Sequence, residues 1–200
     1  MTERTRRAVV ETALLVGLAI VIAIFLRAFV AQAFRIPSSS MEPQLEVGDR
    51  VVVSRLAYDV HEPRRGDIVV FDCPPGAGCE ERSDDALPVR AVKTVAEALL
   101  LRQPEIEEFI KRVIGLPGET IEGRDGSVYV NGRRLVEPYL PADTATSDFG
   151  PITVEEGKLW VMGDNRGFSA DSRVFGQIEQ DSIVGRAIAR VWPPTRVAFL

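Results

Sequence analysis

The 200-residue sequence predicts a mainly β, antiparallel domain with one inserted helix, carried on a single N-terminal apolar helix. Three observations lead there. An apolar segment follows a cluster of arginines near the N-terminus. After Pro37 the chain breaks into short β-branched runs bounded by Gly, Asp and Pro. Between residues 72 and 108 that rhythm is interrupted by a loop and a run of strong helix formers.

The N-terminal helix comes first. Arg4, Arg6 and Arg7 precede Ala13 to Leu26, which contains no charged residue, and apolar character resumes after Arg27 through Phe34. Crossing a bilayer takes roughly 20 residues of helix, which Thr12 to Phe34 can supply. Arg27 lies near the outer end, where its long stem can carry the charge to the interface. Basic residues ahead of the segment keep the N-terminus in the cytoplasm and send the rest outward. The organisation expected is therefore residues 1–7 cytoplasmic, 8–34 anchor and 35–200 an extracytoplasmic domain of the cell membrane. Ala31-Gln32-Ala33 also fits the cleavage pattern of a removable signal. The apolar stretch is longer than a usual signal core, which favours retention.

The strands follow. Gly48-Asp49 opens Arg50 to Arg55, and Arg65-Gly66-Asp67 opens Ile68 to Phe71. Continuous apolar runs between turn residues read as buried strands. Residues 72–90 read as a loop and 91–103 as a helix, ended or restarted by Pro104. Lys111 to Ile114 is a strand stopped by Gly115-Leu116-Pro117-Gly118. Between Ile121 and Leu135, Asp125-Gly126 and Asn131-Gly132 mark hairpin turns, because such turns need φ > 0. Leu159 to Met162 and Ile183 to Trp192 add further strands.

Charge excludes one class of partner. The net charge is −5, residues 1–35 carry +3, and the remainder therefore carries −8. An acidic domain is a poor nucleic-acid binder, since phosphate contacts need clustered Lys and Arg. Cys73 and Cys79 flank a five-residue Pro/Gly loop. In an exported domain they can form a disulfide or remain thiols. A metal site would need two further ligands at suitable spacing.

Three segments could carry chemistry. Ser38-Ser39-Ser40-Met41 lies just beyond the apolar segment, placing hydroxyls at a membrane surface. Lys111 shares a strand face with Phe109 and Val113, so it can be buried, and burial lowers a lysine pKa. Gly163 to Arg173 is a polar loop. Each also has an ordinary reading: a hydroxyl-rich turn, a lysine guarding a strand edge, and a Gly/Asn/Asp/Ser loop or calcium loop, although the spacing is not that of an EF-hand. The lone histidine, His61, lies in a polar connection. A serine nucleophile needs a base, and lysine is the better candidate.

Taken together and in order, Pro37 to Leu45, Gly48 to Val53, Lys111 to Gly118 and Gly163 to Arg173 resemble the bacterial type I signal peptidases, membrane-anchored serine proteases. The resemblance covers most of the chain. It implies Ser40 as nucleophile and Lys111 as general base. It implies that Ser38 helps stabilise the oxyanion, that Ser169 hydrogen-bonds the lysine, and that Asp171 and Arg173 hold the surrounding loop. It also implies signal peptides of exported pre-proteins as substrates, cleaved after small residues such as Ala-x-Ala. Membrane lipid is the implied setting and the translocation machinery a neighbour, and no cofactor or metal is called for. Gly167-Phe168 departs from the polar residues many members carry there, and the 72–108 insertion is longer than in compact members. The rival from another class is a non-enzymatic, membrane-anchored β-domain that binds an envelope partner.

Overall fold

The structure, a computed structural model, describes residue 7 and residues 11–19, 31–74, 77 and 108–200. The chain divides into two compact units: residues 1–32 with 82–105, and residues 33–81 with 106–200. Residues 11–19 are helical, and among the described residues no helix is long and apolar enough to cross a membrane. The helix expected over 91–103 lies outside the described residues, as does Cys79. Cys73 is disulfide-bonded.

The described residues form twelve strands: β1 (Ala31–Arg35), β2 (Arg50–Ser54), β3 (Ile68–Asp72), β4 (Glu108–Gly115), β5 (Thr120–Arg124), β6 (Ser127–Val130), β7 (Arg133–Arg134), β8 (Phe149–Thr153), β9 (Lys158–Met162), β10 (Ile178–Glu179), β11 (Ile183–Trp192) and β12 (Ala198–Phe199). β1 corrects the sequence reading. Ala31 to Phe34, counted into the anchor helix, belong instead to an edge strand beside β2. The physical reason is that an apolar run short of polar punctuation serves a helix or a buried strand equally well.

The larger sheet runs β1-β2-β11-β3-β4-β9-β10, with β12 pairing β11, and the smaller runs β7-β6-β5-β8. The pairings of β11 with β2, β3 and β12, and of β4 with β3 and β9, are antiparallel. β3 is buried on both faces, which accounts for its unbroken apolar sequence. Ile68 and Val70 enter a core with Ile36, Met41, Leu45, Val51, Val53 and Ile110. Val69 and Phe71 enter another with Val113, Leu159 and Val161. The smaller sheet closes over a third core of Ile114, Ile121, Val128, Trp160 and Met162.

The hairpins form where the sequence places them. Asp125-Gly126 joins β5 to β6 and Asn131-Gly132 joins β6 to β7, with all four residues at positive φ. Gly115, at the end of β4, is required by close approach. An added methyl group there would lie 2.7 Å from Ile121 and 2.9 Å from Trp160, inside contact distance.

Candidate active site

Three pieces of chain converge at the middle of the larger sheet. The first is a single 3₁₀ turn, Ser39–Met41, that follows β1. Its position is set by packing. Met41 and Leu45 are fully buried in the first core, and Leu45 N–H donates to Met41 O at 2.8 Å. With the side chain after Ser40 locked among Val51, Val53 and Ile68, Ser40 cannot drift. The second piece is β4, which carries Lys111 in register with Val69 of β3. The third is the loop from Gly163 to Asp171, which leaves β9.

Lys111 Nζ donates to Ser40 Oγ at 2.9 Å and to the Ile110 carbonyl at 3.0 Å. Ser40 is 6% exposed and Lys111 3%. The amine also sits 5.4 Å from the centre of the Phe109 ring, the face-sharing neighbour expected from strand alternation. Burial pulls the Lys111 pKa down to about 8, opposed by the negative charges of Asp171 and Asp164. Both hydrogen-bond acceptors of the amine are neutral groups, so neither offsets the desolvation of a positive charge. Ser38 is exposed, and its hydroxyl lies 3.3 Å from Ser40 Oγ.

The loop holds this turn by its backbone. Asn165 N–H donates to Ser40 O at 3.0 Å, and Asn165 Nδ2 donates to Ser39 O at 3.1 Å. Gly163 permits the approach. A methyl group in its place would lie 2.5 Å from Ser40 O and 2.2 Å from Ser169 Oγ. Asp171 is wholly buried. It accepts from Gly163 N–H at 3.0 Å and from the Arg173 guanidinium at 2.9 and 2.8 Å, and it caps the short helix Ser172–Phe175. Burial would raise its pKa, but these donors hold it below the usual carboxylate range. Asp171 and Arg173 thus tie Gly163 and the start of the short helix together.

Ser169 does not behave as expected. Its hydroxyl oxygen is buried and makes no hydrogen bond, so the bond to Lys111 is not formed. The lysine protons are directed at Ser40 Oγ and Ile110 O, and Ser169 instead packs against Gly163. His61 is apart from this cluster. Its Nδ1 bonds Glu62 O at 2.8 Å and its ring meets Tyr58 edge-on.

Sequence reasoning missed Arg112, Asn165 and Arg166 as parts of the site. Arg112 clasps Asp164 in two bonds of 2.8 and 2.6 Å and reaches Gly66 O at 2.8 Å. Its guanidinium lies 4.0 Å from the centre of the Tyr139 ring. Arg166 pairs with Glu137 and donates to Thr146 Oγ1 at 2.9 Å and Gly163 O at 3.1 Å. The one available signal was charge: each carboxylate in Asp164 to Arg173 needs a cation if it is to be buried. With Asp164 and Asp171 each engaged by an arginine, the loop is an ion-pair scaffold, and its carboxylates are not gathered as calcium ligands.

A serine hydroxyl bonded to a buried amine with a lowered pKa is the arrangement of a serine hydrolase that uses lysine in place of histidine. The family described as signal peptidase, peptidase S26, matches residues 9–192, and this chain belongs to that family and is a serine endopeptidase. It is 41% identical to a signal peptidase I of Leptolyngbya laminosa over 92% of this chain and 80% of the relative. It is 37% identical to a signal peptidase I of Mycobacterium tuberculosis over 93% of this chain and 73% of that one. A solved signal peptidase I from Enterococcus faecalis V583 is 32% identical, covers 62% of this chain and 96% of its own, and has a TM-score of 0.42.

Proposed function

We propose that this chain removes signal peptides from exported pre-proteins, cutting after small residues such as Ala-x-Ala, with Ser40 as nucleophile and Lys111 as general base. The observation that carries the reading is the 2.9 Å bond between a buried amine and the Ser40 hydroxyl. A free lysine, with a pKa of roughly 10.4, is neutral about once in 2,500 molecules at pH 7. At a pKa of about 8 the neutral amine is an appreciable minority species at neutral pH. It accepts the Ser40 proton as the oxygen attacks the scissile carbonyl, and returns it to the leaving amine. The Ser38 hydroxyl, 3.3 Å from Ser40 Oγ, and the Ser40 backbone N–H serve as donors to the developing oxyanion. Water then releases the acyl-enzyme by the same lysine. Asp171 and Arg173 act as positioning residues by fixing Gly163 beneath Ser40.

The apolar segment ahead of β1 anchors the chain in the cell membrane, N-terminus inside and catalytic domain outside. Lipid and the export machinery are then its neighbours. This rests on the charge and length of the segment and on the outward location of the substrates.

The test is cleavage of a pre-protein by the purified chain in detergent, read by gel shift and N-terminal sequencing of the product. Cleavage after the small residue, lost in Ser40→Ala with unchanged circular dichroism and retained in Ser39→Ala, is the expected result. A binding protein without turnover, or an active Ser40→Ala variant, overturns the reading.

A further inference from the structure

Phe168 is the anomaly of the active-site loop. Its neighbours are used structurally: Asp164, Arg166 and Asp171 are buried, and Asn165 holds the Ser39 and Ser40 carbonyls. Phe168 is 79% exposed. It is not loose, because its N–H donates to Asn165 O at 3.0 Å, closing a turn on the residue that grips Ser40. Gly167 beside it has nothing within 4 Å of where a side chain would start, so the tip stands in open space. Phe168 is also tied to the Ser40 turn. Asn165, whose carbonyl takes the Phe168 N–H, donates its own N–H to Ser40 O at 3.0 Å. The next residue, Ser169, has its Cβ within about 5 Å of that same carbonyl oxygen, since each lies 2.5 Å from the place a Gly163 methyl would occupy.

We infer that Phe168 is a specificity-determining residue that receives an apolar side chain of the substrate peptide two to four residues from the scissile bond. The inference rests on the proposed peptidase activity. Phe168 stands one residue before Ser169 on the loop that holds Ser40, and an extended peptide advances about 3.3 Å per residue, so a side chain a few residues from the bond held at Ser40 is the part of the substrate offered to this loop. A peptide laid across Ser40 would cover a ring that the folded chain leaves in water, and burial of apolar area favours that contact. Lipid is the weaker occupant. The larger exposed apolar set, Val191, Trp192, Val197 and Phe199, belongs to β11, β12 and their connection, not to this loop. The contact is made equally in bound substrate and transition state, so it acts on KM and leaves kcat alone.

The experiment uses the full chain in detergent and fluorogenic peptides containing Ala-x-Ala, with leucine or asparagine placed in turn at each other position within four residues of the bond. The wild-type chain is expected to favour leucine at one of these positions by about tenfold in kcat/KM, all of it in KM. Phe168→Asn should abolish that preference while cleaving the asparagine peptides at the wild-type rate, and Phe168→Trp should keep it. A preference that survives Phe168→Asn overturns the inference alone. So does a defect that appears only with pre-protein in lipid vesicles and is equal for leucine and asparagine substrates, which assigns the ring to the membrane. A wild-type chain that cleaves none of the peptides, or pre-protein, overturns the activity and this inference with it.

Discussion

Lys111 and Arg112 are adjacent on β4 and equally buried, yet their surroundings are opposite. Arg112 faces a carboxylate in a two-bond clasp and lies against the Tyr139 ring. Lys111 faces a hydroxyl and a carbonyl. Strand alternation puts the two cations on opposite faces, and only one face has been given a counter-charge within bonding distance. The difference teaches how a buried cation is assigned to structure or to chemistry. A guanidinium stays protonated whatever surrounds it, so it must be neutralised. An amine can give up its proton, so leaving it without a carboxylate partner tunes it toward the neutral form.

The largest expected effect breaks the chemical half of the comparison. Lys111→Met should lower kcat by at least about 10³-fold in the pre-protein cleavage assay, at the upper end of what a general base supplies, with the fold retained. Lys111→Arg should be equally inactive, because it carries a permanent charge into the same place. Substantial activity in either variant would remove Lys111 from the mechanism.

The next effect separates the two residues by stability. Arg112→Met strands the Asp164 carboxylate in the interior and should destabilise the domain by about 3–5 kcal/mol. Lys111→Met should do the reverse. The folded-state pKa of Lys111 is depressed to about 8, so between that value and its unfolded value the unfolded chain binds more protons and stability rises with pH. Below about pH 8 the folded protein carries the full penalty of a buried charge. Removing the amine should therefore stabilise the protein at pH 7, by up to about 3 kcal/mol, and flatten its stability between pH 8 and 10. Urea unfolding of both variants at pH 7 and pH 10 checks the opposite signs.

A smaller effect sharpens the link between the two sites. The wild-type rate should rise with pH through about 8 as the lysine loses its proton. The Asp164 charge raises that pKa, so Asp164→Asn should move the rising limb to lower pH by a fraction of a unit, read from kcat against pH. Asp164 would then couple the structural cation to the catalytic one. An unmoved limb would make the two faces independent. The smallest effect is expected from His61→Ala, within about twofold of wild type, since His61 bonds only its neighbour's carbonyl and meets Tyr58.

Much of this was readable in advance where physics is local. β2, β3, β9 and β11 fall where β-branched runs lie between turn residues, and the Asp-Gly and Asn-Gly turns need only their own backbone preferences. Burial of Lys111 followed from sharing a face with Phe109 and Val113. Non-local features did not show. Ala31 to Arg35 becomes a strand because β2 offers an edge, which its own composition does not reveal. β8 contains Gly150-Pro151, which argues locally against a strand, and is fixed by pairing with β5. Arg112 and Asp164 are 52 positions apart, so their pairing depends on β4 and β9 being neighbours. The Asn165 grip on Ser40 likewise depends on the closed sheet.

That grip spans nearly the whole domain, and its consequence concerns timing. β2 and β3 are close in the chain but not adjacent in the sheet, because β11 fills the slot between them. During synthesis, with N-terminal parts emerging first, the Ser40 turn and Lys111 leave the ribosome well before Asn165 and long before β11. Contacts of such high sequence separation form late. A nascent chain thus holds its hydroxyl and amine on unfinished halves of a sheet, and its cutting power should appear only when the last strands arrive.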